Sequence, residues 1–151
     1  MNKTASARPR PGKITAAYFS PTGTSKRIAL AIAGAMSSAL DMEIEDFPLT
    51  LPGDRQKPLP EFGGEDALVL ALPVYAGRIP AVAETAVGKL SGRETPAVAA
   101  AVYGNRDYDD ALLETADLLS GRGFAVAGGV AAAVEELIHK EHPDIELKTQ
   151  R

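Results

Sequence analysis

The chain has 151 residues, 45% of them hydrophobic and 24% charged, which fits one soluble domain with a substantial core. Sixteen basic against twenty acidic residues leave a net charge of −4, which gives no footprint for nucleic acid or an anionic membrane. With no cysteine, disulfides, thiolate zinc sites, cysteine nucleophiles and cysteine-ligated clusters are excluded within this chain, and a cytoplasmic location is expected.

Residues 1–12 carry basic side chains with no apolar run after them, so they do not form a secretory signal and are expected to be a solvated tail. The first strand is predicted at "ITAAYF" (14–19), followed by a helix over 24–40, where Ile28, Ile32, Met36 and Leu40 recur every four residues. "MEIEDF" (42–47) alternates and predicts a half-exposed strand near a sheet edge. Residues 48–64 hold Pro48, Pro52, Pro58 and Pro60, which predicts loop with at most one helical turn in place of a regular second helix.

"ALVLAL" (67–72) is continuously apolar, the pattern of a central strand covered on both faces. The longest apolar stretch, Ala67 to Ala76, contains Pro73 and is too short to span a bilayer, so no membrane insertion is expected. Pro80 to Leu90 predicts a helix, "AVAAAV" (97–102) a buried strand, and 109–120 a helix with Leu112, Leu113, Ala116 and Leu119 on one face. "FAVAGG" (124–129) predicts the last strand and 131–140 a short last helix, before a tail at 142–151. The alternation predicts an α/β fold over 13–141, a doubly wound sheet of five parallel strands.

In such a sheet ligands bind beyond the carboxyl ends of the strands, where the winding reverses. The loop after the first strand places Ser20, Thr22, Gly23, Thr24 and Ser25 in one turn before a helix. Free N–H groups and the helix dipole favour an anion there, the hydroxyls add donors, and Gly23 admits a close backbone approach. A well-capped turn is the alternative. Lys26 follows Ser25 rather than a glycine, so this is not a P-loop, and one glycine does not make a dinucleotide fingerprint. A single phosphate fits the cup.

The loop after the third strand is "PVYAGRIP", with Pro73, Val74, Tyr75, Ala76, Gly77 and Arg78; the loop after the fourth is "YGNRDYDD", with Tyr103, Gly104, Asn105 and Tyr108. Three of the four tyrosines lie in these two loops, and aromatic faces beside a phosphate cup suit a sandwiched planar ring. Ordinary turns, with Asp107 or Asp109 capping the next helix, are the alternative. Asp109-Asp110 is most simply a helix cap, and His139 and His142 lie far along the chain with no metal-ligand spacing around them.

"YFSPTGTSKRIA" resembles the phosphate loop of flavodoxins, whose order of Ser/Thr, any residue, Thr-Gly, any residue and Thr/Ser is met by Ser20, Thr22, Gly23, Thr24 and Ser25. "PVYAGRIP" and "VYGNRDYDDAL" look more specifically like the flavodoxin-like module of flavodoxin–ferredoxin fusion proteins. The resemblance covers roughly Ile14 to Gly129. It implies a flavodoxin-like sheet in the order 2-1-3-4-5, with reduced second and last helices, that binds FMN for electron transfer. The phosphate would sit in the cup and the ring between the other two loops, with Tyr108 stacking and Tyr75 or Tyr103 bordering the other face.

The resemblance further implies a peptide beside Gly77 that turns to accept a hydrogen bond from reduced flavin, and a redox partner protein such as a ferredoxin-type domain. No ferredoxin half lies in this sequence, so an excised module or a stand-alone relative is expected. Arg78 would place a cation near the ring, unless it pairs with an acid such as Glu84 or Asp107. An FMN-dependent reductase of quinones and a non-redox module without flavin are the competing functions.

Overall fold

The computed structural model describes residues 12–75, 77–103 and 109–133. In chain order they form β1 (Lys13–Tyr18), α1 (Thr24–Leu40), β2 (Glu43–Pro48), a single 3-10 turn (Asp54–Gln56), β3 (Ala67–Val74), α2 (Ala81–Val87), β4 (Thr95–Tyr103), α3 (Asp109–Gly121) and β5 (Phe124–Ala133). All five strands pair in parallel in the order β2-β1-β3-β4-β5. This is the doubly wound α/β sheet predicted from the alternation of elements.

The two faces of the sheet are packed differently, and side-chain size explains why. Toward α1, the sheet presents Ala16, Ala67, Ala71 and Ala100 among Ile14, Val69 and Val102, and the helix answers with Ile28, Ala29 and Ala33. Small residues on both sides let the helix axis lie close. On the other face, Leu68, Leu70 and Leu72 project between Ala83, Ala86 and Val87 of α2 and Ala111 and Leu119 of α3. Phe62 and Phe124 meet edge to face there, with ring centroids 5.1 Å apart, a favoured aromatic geometry.

β2 is an edge strand, with Glu43, Ile44, Glu45 and Asp46 exposed and Phe47 buried. Its charges blunt further strand pairing. The proline-rich segment that follows contains the one helical turn anticipated, at Asp54–Gln56, and also buries Leu49 and Phe62.

Several boundaries differ from the sequence prediction. α2 covers Ala81–Val87, with Pro80 as an extended N-cap at ψ 137° and Gly88 as the C-cap. The next two N–H groups, of Lys89 and Leu90, tighten onto the carbonyls of Ala86 and Val87, so the α-helix ends before Leu90. Residues 131–133, predicted as helix, are the end of β5 and pair with Ala101, Val102 and Tyr103. Ladder pairing with β4 overrides the helical preference of alanine. The rest of the predicted last helix, with His139 and His142, lies outside the described residues.

Two predicted helix faces also shift. Leu40, at the end of α1, is exposed, as is Leu113 on α3. The buried line of α3 is Ala111, Thr115 and Leu119, spaced by four, and the Thr115 hydroxyl donates to the Ala111 carbonyl at 2.8 Å.

Leu70, fully buried in the central strand, should lose about 2–5 kcal/mol of folding stability when changed to Ala. Leu51, an exposed residue of the proline-rich segment, should lose no more than about 0.5 kcal/mol on the same change. Urea unfolding of both variants checks the difference.

Candidate functional site

β1 stops at Tyr18 because the chain must turn there into α1. Gly23, the N-cap of α1, has φ +91°, a left-handed conformation that costs a residue with a Cβ roughly 1–2 kcal/mol. No side chain caps this helix from the N-cap position, and its first turn holds no acidic residue. Helix N-termini usually recruit such groups to satisfy their free N–H donors.

Ser20 organises the turn. Its carbonyl accepts from the Gly23 N–H at 3.2 Å, and its Oγ accepts from the Lys26 N–H at 2.9 Å. The next helical bond runs from Arg27 N–H to the Gly23 carbonyl. Among the described residues, none accepts from the N–H groups of Thr24 and Ser25 or bonds to the hydroxyls of Thr22, Thr24 and Ser25. Thr22 is exposed, Thr24 half-buried, and Ser25 buried. The cup is a set of uncommitted donors at the positive end of a 17-residue helix, a donor set that fits a phosphate. The alternative, in which these hydroxyls exist to cap the turn, accounts for Ser20 alone.

The second loop begins later than predicted, because Pro73 and Val74 still belong to β3. A proline in a central strand is normally excluded, and the register explains this one. β1 and β3 pair only as far as Tyr18↔Ala71, closed by Phe19 N–H donating to the Ala71 carbonyl. The nitrogen of Pro73, two residues on, faces the side that β1 has already left. β3 and β4 continue together to Val74↔Tyr103, about 10 Å beyond the last β1 pair at ~3.3 Å per residue. The sheet therefore has a step, with the cup on its lower tread and the ends of β3 and β4 as its riser.

At the top of the riser, Tyr75 and Arg78 exchange both backbone hydrogen bonds, at 2.8 and 3.0 Å. Gly77 lies inside that tight turn with φ +80°. Tyr75 is 52% exposed. Tyr103, at the end of β4, is half-buried and sits beside Val74 in the register. Tyr75, Gly77, Arg78 and Tyr103 thus gather at one edge, above the cup of residues 20–25. Ala76, Gly104, Asn105 and Tyr108 lie outside the described residues, as does Asp107.

Arg78 pairs with Glu114 of α3, Nη2 to Oε2 at 2.9 Å, and not with Glu84. The sequence prediction missed this acid because it lies 36 residues away. Asp109 and Asp110 are the first two residues of α3.

Sequence reasoning also missed the supports beneath the cup. Leu49 N–H donates to the Tyr18 carbonyl at 2.8 Å, and the Ser20 N–H donates to Thr50 Oγ1 at 2.9 Å. The Tyr18 hydroxyl, on a buried side chain, donates to Asp46 Oδ1 at 2.8 Å. Burial, that hydrogen bond, and the negative charges of Asp46 and Asp54 all push the phenol well above its ordinary range.

No protein-family model matches the chain, and no curated protein matches it. Its backbone is similar to that of a solved structure from Bacteroides uniformis ATCC 8492, provisionally named a flavoprotein. The TM-score is 0.56 at 17% identity, covering 87% of this chain and 98% of that one. A second solved structure, from Bacteroides eggerthii DSM 20697 and named in the same provisional way, has a TM-score of 0.52 at 17% identity, covering 90% and 99%. At that identity the likeness speaks for the fold. The fold is flavodoxin-like.

Tyr18 yields a prediction with a definite sign. Its folded value lies above the unfolded one, so its contribution is complete below the ordinary tyrosine value of about 10 and is lost as pH rises past it. Tyr18→Phe should cost about 0.5–1.5 kcal/mol at neutral pH and remove part of the alkaline decline in stability. Urea unfolding at stepped pH measures both; an identical alkaline slope in parent and variant would count against the Tyr18–Asp46 bond.

Proposed function

We propose that the chain binds FMN at the stepped edge of the sheet and acts as an electron-transfer module. The observation that carries this is the set of donors at the start of α1 that are uncommitted among the described residues: two amides and three hydroxyls around Gly23, with no acid in the first turn. A site with one such cup and one loop glycine suits a mononucleotide better than a dinucleotide. The provisional naming of both structural neighbours as flavoproteins supports a flavin over other mononucleotides.

Bound FMN would supply the redox chemistry, and the protein its position and electrostatic surroundings. Thr22, Thr24 and Ser25 would donate to the phosphate, and Ser20 would hold the turn while its own O–H remains available. Tyr75 and Tyr103 border the place for the ring, with Tyr108 proposed as the stacking partner. The turn closed by Tyr75 and Arg78 would face the ring, with Gly77 free to accommodate a second peptide orientation. A partner protein that exchanges electrons, such as a ferredoxin-type domain, would dock at this exposed edge. No catalytic acid, base or nucleophile is required of the chain.

Two measurements test the proposal. Titration followed by flavin absorbance should give FMN binding much tighter than riboflavin, which lacks the phosphate. Thr22→Ala should weaken FMN roughly ten- to a hundred-fold, the loss expected for a hydrogen bond to a charged group. Apo stability should stay within about 0.5 kcal/mol because the exposed Thr22 hydroxyl bonds to nothing among the described residues. Equal affinities for FMN and riboflavin would refute the cup as a phosphate site.

The ion pair of Arg78 with Glu114 sharpens a further expectation. Reduction adds negative charge to a flavin, and Arg78→Gln removes a cation while leaving Glu114 unpaired. The reduction potential of bound FMN should therefore become more negative. Arg78 is 74% exposed, so the effect should be about 0.2–1 kcal/mol and shrink at high salt. A redox titration at two ionic strengths decides, and an unchanged potential would leave Arg78 as a link between this turn and α3.

A further inference from the structure

Among the described residues the donors of the cup are free because Ser20 takes their neighbours, and Ser20 is itself held from outside. Its N–H donates to Thr50 Oγ1 at 2.9 Å. Its carbonyl and Oγ receive the N–H groups of Gly23 and Lys26, so the amides of Thr24 and Ser25, which lie between, are the ones left over. Thr50 belongs to the proline-rich segment after β2, and that segment is fastened by a half-buried arginine. Arg55 Nη1 donates to the carbonyls of Leu49 and Thr50, at 2.9 and 2.8 Å.

Further bonds brace the same segment. Leu49 N–H reaches the Tyr18 carbonyl at 2.8 Å, and the Leu49 side chain is buried. Asp54 Oδ2 accepts from the Leu51 N–H at 3.0 Å, and the N–H groups of Asp54 and Arg55 return to the Leu51 carbonyl. These bonds set Arg55 in a fixed position relative to Leu49 and Thr50. Nη1 carries two N–H groups, enough for both carbonyls.

We propose that Arg55 and Thr50 are positioning residues for the phosphate subsite, a strap from the β2 segment that orients Ser20 and so leaves the Thr24 and Ser25 amides pointed at the ligand. Neither residue needs to touch phosphate. The proposal rests on the FMN assignment above, and it makes a specific demand: loss of the strap weakens the phosphate contacts and leaves the ring contacts alone, because the strap ends at Ser20 on the lower tread of the step. A residue serving stability alone would affect all ligands together.

The test uses the full chain and four proteins: the parent, Thr50→Val, Thr50→Ser and Arg55→Met. Each is titrated with FMN and with riboflavin, and backbone amide exchange at Ser20 and Lys26 is followed without ligand. Thr50→Val keeps the shape and removes the acceptor; it should weaken FMN about three- to tenfold, the range for one neutral hydrogen bond, with riboflavin unchanged. Exchange at Ser20 and Lys26 should quicken. Thr50→Ser restores the hydroxyl and should restore both readouts, and Arg55→Met should follow Thr50→Val.

Unchanged FMN affinity in Thr50→Val, beside a parent that binds FMN tightly, overturns the strap and leaves the FMN assignment standing. Parallel losses of FMN and riboflavin overturn it too, as a general loss of stability. A parent that binds no FMN overturns the assignment and the strap with it. Should Arg55→Met fail to fold, the comparison of Thr50→Val with Thr50→Ser carries the decision alone.

Discussion

An α-helix begins with amide N–H groups that it cannot satisfy from within, and the edge of this molecule is arranged around how α1 deals with that constraint. Ser20 satisfies Gly23 and Lys26, and the two amides between them, of Thr24 and Ser25, find no acceptor among the described residues. Gly23 makes this possible, because its φ of +91° turns the chain from β1 into the helix within a few residues. A Cβ at Gly23 would meet no neighbouring atom within 4 Å. The need for glycine here is therefore a matter of backbone conformation and not of space.

The position of the cup follows from the strand lengths. β1 ends at Tyr18 while β3 and β4 run on to Val74 and Tyr103, and Pro73 marks where β3 no longer needs a donor toward β1. A longer β1 would fill the step; a shorter β3 would remove the riser that carries Tyr75 and Arg78. The asymmetry of the core serves the same end. Alanines on the α1 face let α1 lie close to β1 and β3, which holds its N-terminus at the end of the sheet. The leucine-rich opposite face gives α3 the packing from which Glu114 reaches Arg78.

Rigidity is distributed unevenly along this edge. The cup is braced through Ser20, Thr50 and Arg55, and Tyr18 beneath it is buried and bonded to Asp46. The turn at Tyr75 to Arg78 is held by its two backbone bonds and by an ion pair on the surface. Exposed ion pairs contribute little to stability, so this turn is the more yielding of the two. The FMN carrier proposed above would be served by that division, with its phosphate held firmly and its ring edge able to adjust to charge and to a partner.

Much of this was legible in the sequence, because it depends on local periodicity and on short spacings. The uninterrupted run of β3, the charged alternation of β2, the single helical turn among the prolines and the hydroxyl-rich turn before α1 are all local properties. The order of strands came from resemblance to a known fold, and the structure bears it out. Tertiary structure alone decided which residues meet at long range. Glu114 as the partner of Arg78, Thr50 as the acceptor for Ser20 and Asp46 as the acceptor for Tyr18 join separate elements, and no sequence pattern singles them out. Residues 131–133 illustrate the same limit: an alanine-rich run favours a helix by itself, and only the presence of β4 alongside, with its own unpaired backbone groups, turned it into strand.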